Sequence, residues 1–283
     1  MSEPPDPPVA DAAGARPLLD LGRPRNVGEL LEATFRIFGA NAGVLYTLTF
    51  LVLAPALFAV DGVWGGGLRD GIEAESSVLQ GVVSQLLNGF VLTSLVTGIH
   101  VVVVQRLAGG EPVAMVAALR DAAGRLWVLF LVAVLYSAGI VGGLVLLIVP
   151  GVWLSVVWYF GAQVAVAEER PVWESLRRSR EVVSGQWWRT CGLLVLSSVV
   201  FGAIVGPLLS AVVLFDDGVG YVATSILYQT LLTSISALFG TLLFFDLRAR
   251  ADARTDAQLY RAGPLDDYGG FLPPTPPVPE PAG

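Results

Sequence analysis

The chain has no lysine. Its 17 basic residues are all arginine, and 283 residues hold one cysteine and one histidine. Each scarcity removes a class of chemistry. A phosphate-binding P-loop needs lysine. A zinc centre of cysteine and histidine needs more than Cys191 and His100 supply. A serine–histidine–aspartate triad has only His100 to draw on, and His100 lies in an apolar run. A lone cysteine forms no internal disulfide, so Cys191 says nothing about redox compartment. Charge is scarce as well: charged residues are 14% and hydrophobic residues 54%, against about 25% charged in soluble domains. Too few charges remain to coat a water-facing surface, so the chain reads as a polytopic membrane protein. The net charge of −7 is spread over both faces and both tails, which is no nucleic-acid footprint.

The first 24 residues hold six prolines, three aspartates and one glutamate, without the apolar stretch of a secretory signal. The first membrane helix is therefore expected to act as an uncleaved insertion signal. Residues 1–24 read as a disordered tail and 256–283 as a proline-rich tail, flanking a membrane domain over 25–255. Pro273, Pro274, Pro276, Pro277 and Pro279 favour polyproline II, either as a solvated tail or as a ligand for an aromatic groove.

Six apolar runs lie between the tails, at 43–60, 82–104, 126–149, 151–167, 190–214 and 221–245. Each has about the 17–25 residues that a span needs. The third and fourth meet at Pro150-Gly151, which reads as the turn of a tight helical hairpin. Six crossings put both termini on one side, together with 16 of the 17 arginines; only Arg69 falls opposite. The positive-inside rule then makes the termini cytoplasmic. Asp61, Asp70, Glu73, Glu75, Asp216 and Asp217 occupy the outer loops. The expected fold is an all-α, six-span helix bundle in a bacterial inner membrane.

The stretches before spans one, three and five share a pattern: NVGELLEATFRIFGANAGVLYTL (26–48), EPVAMVAALRDAAGRLWVLFLV (111–132) and RPVWESLRRSREVVSGQWWRTCGLLVL (170–196). Each reads as an interfacial amphipathic helix feeding a span, which implies three pseudo-repeats of one such helix plus two spans. Asn26 and Glu29 have capping-box spacing. In the third helix Glu174, Arg177, Arg178 and Glu181 share a wet face opposite Val172, Leu176, Ser179, Val182 and Val183. Arg120, Arg177, Arg178 and Arg180, with Trp173, Trp187 and Trp188 as interface anchors, are the candidate contacts for anionic headgroups or a partner protein. The plainer alternative is that these helices only complete the fold and fix its topology.

Ionisable residues within a membrane are functional candidates, and few exist here. Asp61 and Asp246 fall at span ends, where water is expected to reach them. His100 lies six residues before Arg106, about 9 Å deeper along a helix. It is either a hydrogen-bonded structural residue or, with Asn88 and Ser94, part of a polar path. Gln163, Gln229, Thr230, Thr233, Ser234 and Ser236 add neutral polar groups that commonly join helices. Gly139 with Gly143, and Gly202 with Gly206, have the spacing of close helix contacts. Pro55 and Pro207 are expected to bend or end their spans.

Four segments in order carry a family resemblance: 23–55, 107–129, 148–192 and FFDLRAR (244–250). The most distinctive runs from Pro150-Gly151 through the Leu-Arg-Arg-Ser of 176–179 to Trp187-Trp188. Together they resemble the bacterial six-span family named for the membrane domain of glycerophosphoryl diester phosphodiesterases. In some members that domain precedes a soluble phosphodiesterase domain using histidine and carboxylates. Here about 38 residues follow the last span, so the resemblance implies the membrane domain and not the enzyme. The arginine-only, Ala/Val/Gly-rich composition points to a high-GC bacterium. The expected function is a non-enzymatic scaffold or accessory protein without cofactor or metal, whose arginine-rich helices engage anionic lipid or an unidentified membrane or cytoplasmic protein. The alternative is a transporter of a lipid or small neutral solute. A membrane-embedded enzyme would have only Glu168, Glu169 and Asp246 to work with.

Overall fold

A computed structural model of the chain describes residues 20–60, 91–111, 115–213 and 218–262. All regular structure among the described residues is helical. Five helical segments are long and apolar enough to cross a membrane, which makes this a membrane-embedded helical protein. The second apolar run is only partly described: its later part forms α2 (Thr93–Ala108), a shorter apolar helix.

Helix α1 (Val27–Leu57) starts at a complete capping box. Asn26 Oδ1 accepts from the Glu29 N–H at 2.9 Å, and Glu29 Oε2 accepts from the Asn26 N–H at 3.0 Å. The break in α1 is at Asn41 (φ −126°, ψ 18°), whose side-chain amide donates to the Ile37 carbonyl at 3.1 Å. The amphipathic first part therefore joins the apolar span at Asn41. The α-helix stops at Leu57, two residues past Pro55, and the chain continues in π geometry over 58–60.

Helix α3 (Met115–Ala123) is short, and α4 (Leu126–Leu146) is apolar all round. The hairpin turn after α4 is at Leu147, which is extended (φ −162°, ψ 144°), not at Pro150-Gly151. Pro150 instead occupies the first turn of α5 (Ile148–Val157), where its missing N–H has no helical partner to lose. Gly151 faces Gly143 across the hairpin: a Cβ on Gly143 would stand 2.8 Å from the Gly151 Cα. The fourth run is also interrupted. It stops at Trp158–Phe160 and resumes as α6 (Gly161–Ala167). The Ser179 hydroxyl fills this break, donating to the Val157 carbonyl at 2.7 Å and accepting from the Phe160 N–H at 3.2 Å.

Ser179 comes from α7 (Val172–Val183), whose apolar face of Leu176, Val182 and Val183 is buried. Helix α8 (Trp187–Val213) follows, with Pro207 inside it. Helix α9 (Gly218–Ala262) is the hub of the fold, packing on α1, α2, α7 and α8. Its most apolar stretch is 78% buried, against 28% for α1 and α8. The reason is composition: between Gly218 and Asp246 the helix carries no charge, and Leu238, Phe239, Leu242, Leu243 and Phe244 make it apolar enough to be covered on all sides. Beyond Asp246 it turns charged and runs past 255 to Ala262. Its 45 residues span about 68 Å at 1.5 Å each, longer than a bilayer of about 40–45 Å. The arginine-rich end therefore projects beyond the membrane.

Candidate functional site

Two buried carboxylates organise the arginine-rich end. The Asp246 side chain is fully buried, correcting the expectation that water reaches it at a span end. Its Oδ1 accepts from the Arg25 backbone N–H at 2.5 Å. Its Oδ2 accepts from Arg189 Nη1 at 2.8 Å and Arg250 Nε at 3.1 Å. The second arms of both guanidiniums donate to the Arg25 carbonyl, at 3.0 and 2.7 Å. One knot thus ties Arg25, which precedes the α1 N-cap, to the start of α8 and the second half of α9. The Arg25 side chain is itself buried and donates to the Asp20 carbonyl. Burial, reinforced by Arg23, pulls its pKa below the usual arginine value, and Asp246 offsets this only in part.

Glu168, 8% exposed, makes the second knot. Its Oε2 pairs with Arg170 Nε at 2.8 Å and Arg178 Nε at 3.2 Å, and its Oε1 lies 3.6 Å from Arg248 Nε. Arg178 also reaches Asp252 at 3.1 Å, fastening α7 to α9. Burial alone would lower the Arg178 pKa, but Glu168 and Asp252 outweigh it and raise it. Next to this knot Glu169, at φ +54°, pairs with Arg125 at 2.7 Å. Asp246 and Glu168 are each shared by several arginines, and no metal-holding group of His, Cys, Asp or Glu exists among the described residues.

The other face of α7 is open. Arg177 is exposed and lies 3.8 Å from Glu181. Arg180 is exposed, has no carboxylate partner among the described residues, and lies 5.6 Å over the Trp153 ring of α5. Ile148, Val149, Val152, Trp153, Trp187 and Trp188 line an open apolar groove of about 520 Å³ beside it. Trp187 and Trp188 pack edge to face at 4.7 Å, and Trp188 is 83% exposed. The Trp187 indole N–H is buried without an acceptor. This groove sets the hairpin tip beside the first turn of α8. The tip is apolar and bare, with Val145 to Val149 between 70% and 81% exposed.

Of the sequence candidates, Arg180, Trp187 and Trp188 come together here; Arg177 lines a neighbouring open pocket with Arg180, Glu181 and Ser184, whereas Arg178 turns inward. Trp173 and Arg120 are exposed elsewhere, on α7 and α3. Gly139 abuts Trp158 and Gly143 abuts Gly151, both within the hairpin, whereas Gly202 and Gly206 have nothing within 4 Å of a would-be Cβ. His100 is buried between α2 and α9: Nδ1 donates to the Val96 carbonyl at 2.9 Å, and Nε2 meets Ser234 Oγ at 3.2 Å. Ser94 lines a separate cavity of about 130 Å³. Asn88 lies outside the described residues.

Sequence reading missed the Asp246 knot. Its one local signal was the i, i+4 pair of Asp246 and Arg250; Arg25 and Arg189 join it only through the fold. No family model matches the chain, and no curated protein or solved structure matches it. The resemblance to the phosphodiesterase membrane domain stands on its four sequence segments alone.

Proposed function

We propose that this is a non-enzymatic scaffold or accessory protein of the bacterial inner membrane, with cytoplasmic termini, which holds anionic lipid at its arginine-rich end. The observation that carries the reading is Arg180 lying over Trp153 at an open apolar groove, with no carboxylate partner among the described residues. Two positions earlier, Arg178 is bound inward by Glu168 and Asp252. A basic side chain beside a tryptophan-lined groove fits a lipid: phosphate on the guanidinium, acyl chain along the rings. A basic residue near an anionic surface contributes about 1 kcal/mol. Arg177 and Arg180 together then contribute about 2 kcal/mol, roughly a thirtyfold preference for anionic lipid.

The topology follows from parity and from the groove. Six crossings keep the arginines on one side, and so do four crossings plus one hairpin that enters and leaves through the same face. Helix α4 has 21 residues, about 31 Å, yet its far end lies beside Trp187 and Trp188, at the start of α8. We read α1, α2, α8 and α9 as crossing helices and α4–α5 as a hairpin dipping into the inner leaflet from the cytoplasmic side. Its bare tip then lies among acyl chains. The short amphipathic helices before the α1 span, α4 and α8 keep their reading as three interfacial units.

The test is native mass spectrometry of the protein released from nanodiscs holding equal phosphatidylglycerol and phosphatidylcholine. Wild type is expected to retain phosphatidylglycerol, and the double variant Arg177→Gln/Arg180→Gln to lose most of that preference. No preference in wild type, or the same preference in the variant, sinks the lipid reading. Topology has its own readout in a Cys191→Ser background. A cysteine placed at Leu147 is expected to escape a membrane-impermeant maleimide applied outside intact cells. Labelling as strong as at Gly66 in the outer loop would restore six crossings.

A further inference from the structure

We infer that the cavity beside the helix break at Trp158–Phe160 binds one small neutral hydroxylic solute of about the size of glycerol. This site is separate from the lipid groove and does not depend on the lipid reading. The cavity holds about 130 Å³ and is walled by α2, α4, the break and α6. Its polar lining comes from Thr93, Ser94, Thr97, Tyr136, Tyr159 and Gln163, and Trp158 adds an aromatic wall.

Three features define the ligand. The first is an unmet acceptor. Gln163 is 3% exposed, and its Oε1 has no hydrogen-bond partner among the described residues. A buried acceptor without a donor carries an uncompensated desolvation cost, so the occupant must bring an O–H or N–H. Hydrocarbon, including a lipid tail, brings neither. The second is charge: no ionised side chain is among the described lining residues, so the occupant is neutral. The third is size. A cavity of roughly 150 Å³ takes benzene, with its six heavy atoms, so this one takes five or six. Several hydroxyl-bearing walls around one amide suit a polyol, whose O–H groups both donate and accept.

The break explains why the cavity exists. Non-helical backbone at membrane depth persists where it is buried in protein or lines a polar cavity, and interrupted helices commonly frame solute sites. Here the freed Val157 carbonyl and Phe160 N–H are both taken by Ser179. The break is thereby fixed in shape, and the side chains are left to hold the solute. Gly240 completes the arrangement: a Cβ there would meet Tyr159 Oη at 3.3 Å and Gln163 Nε2 at 3.5 Å. Its absence lets both side chains lie against α9.

The experiment is equilibrium binding of radiolabelled glycerol to the full chain in glycerol-free nanodiscs. One saturable site per chain is expected, competed by unlabelled glycerol. Gln163→Met, which keeps the volume and removes the unmet acceptor, is expected to bind at least tenfold more weakly with a melting temperature no lower than wild type. Ser94→Leu, which fills the cavity, is expected to bind at least tenfold more weakly as well. No saturable binding above empty nanodiscs, a site that holds water only, overturns the inference. So does binding that survives in either variant. A Gln163→Met protein that binds poorly because it melts earlier also overturns it, since that result assigns Gln163 a structural role.

Discussion

Asp246 and the tryptophan groove sit at the same end of the molecule and are built on opposite rules. The Asp246 side chain is fully buried, with every oxygen answered by arginine or backbone N–H. A short way along α8, Trp188 is 83% exposed and Arg180 has no carboxylate among the described residues. The same residue type therefore does two jobs. Arginines that find a buried carboxylate lock helices together. Arginines left beside exposed aromatic surface remain available to a ligand. The sequence Leu176-Arg177-Arg178-Ser179-Arg180 shows both within one helical turn: Arg178 and Ser179 point inward, Arg177 and Arg180 outward. A count of basic residues measures the sum of these roles and separates neither.

The comparison breaks most visibly at Asp246. Asp246→Asn removes the charge that Arg189 and Arg250 share, and breaking a buried pair costs about 3–5 kcal/mol. Thermal unfolding in detergent should show the largest drop of any change discussed here. Unchanged stability would mean the knot is ornamental. Glu168→Gln should cost less, about 1–3 kcal/mol, because Arg170, Arg178 and Arg248 keep some solvent contact. A double-mutant cycle with Arg178→Gln should show coupling between the two positions; strict additivity would place Arg178 outside the knot.

The glycine pairs sharpen the same contrast at smaller scale. Gly143→Ala drives a methyl into the Gly151 backbone, and overpacking of this kind costs about 1–3 kcal/mol. Gly202→Ala and Gly206→Ala meet nothing within 4 Å, so each should be neutral or gain up to about 1 kcal/mol from helix propensity. Equal destabilisation by all three would show that the α8 stripe is packed against something. The two pairs have identical sequence spacing, so melting temperatures of the single variants separate them directly.

What the sequence showed was what is local. The Asn26–Glu29 capping box lies within four residues, and both of its bonds form. The helical class and the apolar, buried face of α7 follow from period and composition in the same way. Two expectations differ from the structure because position along the chain stands in for position in space. Asp246 was placed in water for lying at the end of a span, yet α9 continues past it and Arg25 folds over it. Pro150-Gly151 was taken for the turn, yet a proline in the first turn of a helix loses no hydrogen bond, so the chain turns earlier, at Leu147. Pro55, expected to bend or end its span, lies two residues before the α-helix stops at Leu57, while the second break, at Asn41, had no proline to announce it. The interruption at Trp158–Phe160 had no local signal, because the group that stabilises it is Ser179, on another helix.

The division of labour among the α7 arginines is most directly tested by measuring two quantities on two single variants: melting temperature and the ratio of phosphatidylglycerol to phosphatidylcholine retained from mixed nanodiscs. Arg178→Gln is expected to lower the melting temperature and leave the lipid ratio near wild type. Arg180→Gln is expected to leave the melting temperature unchanged and cut the lipid ratio severalfold. If both variants moved the same quantity, or if Arg178→Gln abolished lipid preference in a protein that melts normally, the inward and outward arginines would not be doing separate work.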